Sequence, residues 1–377
     1  MSDARFKGFN FSKAIVFLLA FICLILAGAA LKLTTPVILP FVIAVLLTFV
    51  LEPVIVMLER IRIPRVVAVV LAVTAVAAGI VFVGYILFGS AKTILTLYPK
   101  YEARFTEIYI RIATVFQLPY NEHLSLFQNL WDQLGLRERV QALAISASQS
   151  SLGLLTDATM VVLFVVFLLL ELSHFRFRIG VALAGEQAER VKKIGAAVVT
   201  QVARYLSVKF FISLATGLLV GFLLTLIGMD FPIVWGIVSF ILNFIPNIGS
   251  IAAGGGVTLF ALVQFWPAPG PVIAAFSIMV GVNMILGNIV EPRIQGYNLG
   301  LSPFVILVSL LAWGWLWGFT GLVLAVPMTV IVKIVCENVP VLEPVSILMG
   351  SYRGAKRKAR SFMGLKRADR DASRDED

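Results

Sequence analysis

Histidine and cysteine are nearly missing from this 377-residue sequence, with two of each. His123 and His174 have no second ligand at metal spacing, and Cys23 and Cys336 each lie in an apolar run. No metal centre and no disulfide framework are therefore expected. There is no Gly-rich phosphate loop carrying a lysine, so no ATP drive is expected either. Charge is scarce. Asp, Glu, Lys and Arg make up 14% of the chain, where soluble domains carry roughly a quarter. From Phe231 to Val290, sixty residues pass without a charged residue or a histidine. These absences leave no support for an enzyme, a cofactor or a nucleic-acid partner.

What is abundant is apolar. The hydrophobic fraction is 59% and the mean hydropathy +0.96, which reads as an integral membrane protein with several spans. Charge-poor runs mark Ala14–Leu31, Leu33–Leu51 with Pro36 and Pro40 at a kinked start, Val66–Ala91, Ser150–Leu170 and Phe210–Gly228. The first run is of full span length and shows no small-residue cleavage site, so no signal peptide is expected. With the N-terminus inside, 24 of the 31 lysines and arginines fall on the cytoplasmic side, and seven outside: Lys32, Lys92, Lys100, Arg104, Arg111, Arg137 and Arg139. The net charge of +10 is thus a positive-inside bias, with both termini cytoplasmic.

The segment from Lys92 to Gln149 is then extracytoplasmic. Tyr98, Tyr101, Phe105, Ile108, Ile112 and Val115 step by 3 and 4, a helical stripe of heptad type. Leu124, Phe127, Leu130, Trp131 and Leu134 form a second stripe. Such faces suit the membrane surface, a domain of their own or subunit contacts, and the expectation is a homo-oligomer.

The sixty-residue run contains helix breakers. "IPNIGS" follows only fourteen residues from Pro232 to Ile245, about 21 Å of helix, too short for a ~30 Å hydrocarbon core. Pro232–Ile245 and Ile251–Phe265 read as arms of a helical hairpin turning at Pro246–Gly249, and Val272–Val290 as a span. Pro303–Trp317 and Phe319–Val332 repeat the pattern from the other side, with Gly318 and Gly321 at the turn. A span and a hairpin, twice, in opposite orientation, is an inverted repeat. Two full spans per run fit the loop charges equally well. The fold expected is an all-α polytopic membrane protein of about six full spans plus two helical hairpins, with an inverted-repeat-like C-terminal half. The divisions are 1–91, three spans; 92–149, extracytoplasmic helices; 150–209, fourth span and linker; 210–336, transport core; 337–377, basic tail. From Ser351 to Arg367 that tail is strongly basic and suits anionic lipid headgroups.

The stretches "IPNIGSIAAGG" and "GNIVEPRIQGYNLGLSPFVILVSLLAWGWLWGFTGLVLAVPMTVIVK" resemble the autoinducer-2 exporter family of bacterial membrane proteins. Pro246 and Gly249, then Pro292, Gly296, Leu301, Ser302 and Pro303, then Gly318, Gly321, Val326 and Pro327 carry the resemblance. Ser250 stands where the family usually has proline. The resemblance implies a permease of the bacterial inner membrane, with autoinducer-2 export and sodium–proton antiport among the family's activities.

Polar residues at membrane depth are the candidate pathway. They are Asn243, Pro246, Asn247, Gly249, Ser250, Asn288, Glu291, Arg293, Ser302 and Asp157. Glu291 reads either as a coupling carboxylate or as the partner of Arg293. Asn283 and Asn288 are five apart, about 140° around an α-helix, and cannot line one narrow stripe. Trp313, Trp315 and Trp317 are interfacial anchors or a stacking surface. The leading reading is a secondary transporter or exporter of small solutes. A cation–proton antiporter and a non-transporting scaffold are the alternatives.

Overall fold

The computed structural model describes residues 11–116, 156–171, 178, 185–295 and 300–351. The second outer stripe, both histidines, Gly296 and the basic tail lie outside the described residues. Everything described is helical apart from short connections and one isolated antiparallel bridge between Leu301 and Gly350. Among the described residues, six helices are long and apolar enough to cross a membrane.

The elements are α1 (Phe11–Leu33), α2 (Thr35–Arg60), α3 (Arg65–Phe116), α4 (156–171), α5 (Gly185–Leu226), α6 (Pro232–Leu242), α7 (Ile248–Phe265), α8 (Pro269–Val282), α9 (Glu291–Gln295), α10 (Pro303–Asn338) and α11 (Glu343–Met349). A π-helical segment, Asn283–Val290, joins α8 to α9. Thr34 alone separates α1 from α2, and Pro36 sits in the first turn of α2, where its missing N–H costs no helical bond.

Helices α2, α3 and α4 pack through Ala44, Ile55, Ala68, Val69, Val165 and Leu169. Arg65 pins their common end. Its guanidinium meets Glu52 at 3.1 Å and Glu59 at 3.3 Å and donates to the last-turn carbonyl of Leu169. A cation is favourable at such a helix C-terminus.

No break separates the third span from the outer segment. α3 runs unbroken for 52 residues, about 78 Å. The face bearing Tyr101 and Ile108 packs within the chain on Phe231, Phe260, Val263 and Trp266, so that half of the first stripe is not open to another subunit. Phe105 and Val115 are exposed. Asp230 completes this joint. It accepts from Lys100 at 2.8 Å and from the Tyr101 hydroxyl at 2.6 Å, and its N–H donates to Gln264. Burial pushes the Asp230 carboxyl up, but the bonds from Lys100 and Tyr101 and the lysine charge outweigh it and hold the group below its ordinary value. Burial, then the bond and charge of Asp230, push the Tyr101 hydroxyl up.

Both expected hairpins are present. The arms α6 and α7 join through residues 243–247, where Asn247 takes φ 59°. α10 breaks at Trp317 and Gly318, the glycine at φ 59°. Its arms lie side by side, because Trp313 Nε1 donates to Thr329 Oγ1 at 3.2 Å; sixteen residues of straight helix would span about 24 Å. The two turns use one device. A Cβ on Gly249 would overlap the Leu242 carbonyl, and a Cβ on Gly321 the Trp313 carbonyl. Each hairpin therefore closes with a second-arm glycine against a first-arm carbonyl.

The first hairpin has its base at the Leu226 end of α5, beside Asp230. The second has its base at the opposite end, where Leu301, Val330 and Ile334 pack on Val202 and Tyr205. α8 runs back along α5, so each hairpin follows a helix and the two units are inverted. The tips meet in an apolar knot of Leu242 and Ile245 with Leu310, Leu322 and Ala325.

Gly249→Ala is expected to destabilise the protein by about 1–3 kcal/mol through forced overlap. Gly255→Ala, where a Cβ meets nothing within 4 Å, is expected to change nothing. Thermal unfolding in detergent, followed by size-exclusion fluorescence, compares the two.

Candidate functional site

The site is built on the buried face of α5. Tyr205, Lys209, Ser213 and Thr216 follow one another at helical spacing, all buried, on a helix whose other charged residues all precede Tyr205. The expected candidates omit all four. Lys209 reads as a cytoplasmic charge when basic residues are only counted, whereas the spacing of 4, 4 and 3 is the signal that could have found the stripe.

A glycine seam brings α6 against this face. Gly217 and Gly221 on α5 meet Gly236 on α6 so closely that a Cβ on Gly217 would lie 2.7 Å from the Gly236 carbonyl oxygen, and one on Gly236 2.6 Å from that of Gly217. This is small-residue helix packing of the kind membranes favour. The glycine row Gly254–Gly256 of α7 plays a lesser part: Gly256 accommodates the Trp235 ring, and Gly255 faces open space. One and two turns beyond the seam, the tip of the first hairpin reaches the stripe. Asn243 Nδ2 donates to Ser213 Oγ at 3.0 Å, with both residues buried. Ser213 is thirteen residues from the end of α5, about 20 Å down the helix.

One turn further along, Lys209 Nζ meets both carboxylate oxygens of Glu291, at 2.8 and 3.0 Å. Side-chain exposure is 5% for Lys209 and 16% for Glu291. Glu291 is therefore bound to Lys209 and not to Arg293, which is exposed. The carboxylate arrives by way of the π-helical segment. Its i to i+5 bonding places residues five apart one turn above another, so the α-helical angle between Asn283 and Asn288 does not apply. Asn283 donates to the Met279 carbonyl, while Asn288 is exposed.

The other candidates divide into turn-formers and outliers. Pro246, Asn247, Gly249 and Ser250 make the hairpin turn, and Ser250 Oγ donates to the Asn247 carbonyl. Ser302 caps α10 by accepting from the Val305 N–H at 3.2 Å, with Pro303 next in sequence. Asp157 is exposed near the start of the described part of α4, whose buried face joins α2 and α3, not the hairpins. Trp313 stacks on Trp317 with centroids 5.1 Å apart, and Lys32 sits 4.1 Å over Trp315. Two buried polar atoms in the hairpin helices, Ser239 Oγ and Trp317 Nε1, have no hydrogen-bond partner. Among the described residues no group of three or more His, Cys, Asp or Glu could hold a metal.

Long apolar helices, opposed hairpins and a polar stripe between them define a multi-pass α-helical membrane protein organised for transport. A family model described as the AI-2E family transporter matches residues 15–340. The AI-2 transport protein TqsA of Escherichia coli K12 is 31% identical over 89% of this chain and 95% of its own. A Borreliella burgdorferi protein named for transport alone is 31% identical over 89% and 90%, and the Escherichia coli K12 protein YhhT 29% over 90% and 95%. The chain belongs to the AI-2E transporter family.

Lys209→Met alone is expected to break the buried pair with Glu291 and cost about 3–5 kcal/mol. Lys209→Met with Glu291→Leu is expected to recover most of that loss, and Arg293→Met to cost little. Folded yield and melting temperature in detergent check the three together.

Proposed function

We propose that the chain is a secondary transporter that exports small polar solutes, with the α5 stripe and the two hairpin tips as its path. The observation that carries this reading is the run Tyr205, Lys209, Ser213 and Thr216, buried where two broken helices converge. A polar stripe at membrane depth is costly, and a function is what retains it. The Ser213 and Thr216 hydroxyls and the Asn243 amide beside them offer donors and acceptors to an uncharged, hydroxylated solute. TqsA is named for AI-2, and compounds like AI-2 or related small polar molecules are the first solutes to try. Cation–proton antiport is the weaker reading, because the Glu291 carboxylate is already balanced by Lys209. In this reading both termini are cytoplasmic, which the lysine and arginine distribution supports, the membrane is the inner membrane of a bacterium, and the exposed Phe105 and Val115 serve contacts between subunits.

Counterflow of labelled small polar solutes in proteoliposomes tests the path. The pair Ser213→Ala with Asn243→Leu removes both hydrogen-bonding partners and leaves neither stranded, so folding is expected to survive. Transport is expected to fall about tenfold or more, from two interactions worth about 0.5–1.5 kcal/mol each. Wild-type rates in this variant would remove the stripe from the path.

A further inference from the structure

Past Asn338 the chain leaves its last apolar helix and folds into a short strap, a 3-10 turn at Pro340–Leu342 followed by α11. Two backbone hydrogen bonds fasten the strap to the start of α10. The Ser302 N–H donates to the Met349 carbonyl at 3.0 Å, and the Ser351 N–H to the Gly300 carbonyl at 2.8 Å. Ser346 is the buried side of the strap. Its outer side is apolar: Val341, Leu342, Val345, Ile347 and Leu348 are exposed, Val341 at 85% and Leu348 at 80%. These residues follow the last long apolar helix, so their exposure is not that of a lipid-facing span. An apolar surface left open in this way marks an interaction site.

The sequence that follows says with what. From Ser351 to Arg367 it carries Arg353, Lys356, Arg357, Lys358, Arg360, Lys366 and Arg367 and no acidic residue. Within Pro340–Ser351 the only charged residue is Glu343. An apolar face continued by positive charge fits the surface of an anionic bilayer. The apolar side chains enter the boundary between headgroups and acyl chains, and the lysines and arginines stay among the phosphates. The strap leads directly out of a membrane helix, so that surface is within reach. We propose that Pro340–Ser351 is a docking surface for the anionic phospholipids of the protein's own membrane, the charge of the sequence after it naming the occupant. Through its bonds to Gly300 and Ser302 the strap then ties lipid charge to the base of the second hairpin, because Ser302 caps α10.

Hydrogen–deuterium exchange on the full chain tests this without reference to transport. The protein is reconstituted into vesicles of phosphatidylcholine, or of phosphatidylcholine with phosphatidylglycerol. Amides of Val345–Met349 are expected to exchange about tenfold more slowly in the anionic vesicles, because the basic residues that follow draw the strap to anionic headgroups. High salt should return them to the rate in neutral vesicles, since screening weakens exposed charges. Replacing Arg353, Lys356, Arg357, Lys358 and Arg360 by Gln should have the same effect as salt, and the wild-type salt series carries the test should that variant insert poorly. Equal rates in the two vesicles, slowing that persists in high salt, or protection that requires an added soluble protein would overturn the proposal.

Discussion

A helix broken inside hydrocarbon must satisfy its own backbone, and that constraint organises the C-terminal half of this protein. At the first hairpin the N–H groups of Asn243, Phe244, Ile245, Ile248, Gly249 and Ile251 all find carbonyls within the turn or the arm before it. Pro246 lacks an N–H to satisfy. With these groups satisfied, the turn can sit at membrane depth and present side chains inward. Gly249 and Gly321 let the arms close without a Cβ between them, so both hairpins remain narrow enough to meet at Ile245, Leu310 and Ala325.

α5 is the element against which this machinery is assembled. At one level it offers glycine and allows backbone contact with α6. A turn or two away it offers Ser213 to Asn243, and then Lys209 to Glu291. The seam, the hydroxyl and the ammonium lie along one helix, so a shift of the first hairpin along α5 would break the Asn243–Ser213 contact and a shift of α9 the Glu291–Lys209 contact. The joint of α3 with Asp230 and the joint of Arg65 with α2 and α4 lie outside this path, and each ties down a helix terminus with charge.

Much of this is legible in the sequence. Proline and glycine at fixed places inside a charge-free run imply hairpins, and the structure has them at Asn243–Asn247 and Trp317–Gly318. Ser302 reads as a pathway candidate, and the structure shows it capping α10; a cap and a ligand look alike in sequence because both need a small hydroxyl. The partner of Glu291 was not legible. Arg293 is two residues away and Lys209 eighty-two, and only the antiparallel run of α8 along α5 brings the distant one near. The π-helical segment also escapes a reading by α-helical angles. Half of the outer stripe went astray for a related reason: an amphipathic face declares that it will be covered, not by what, and Tyr101 found cover on the first hairpin.

The account depends most on the meeting of the two hairpin tips, and a disulfide between them is the direct measurement. In a chain lacking Cys23 and Cys336, Ile245→Cys and Leu310→Cys should form an intramolecular bond under mild oxidation, identified as a linked peptide by mass spectrometry. Solute counterflow should stop on oxidation and return with reductant. Absence of the link, or counterflow undiminished while it is formed, would contradict a path that runs between the tips.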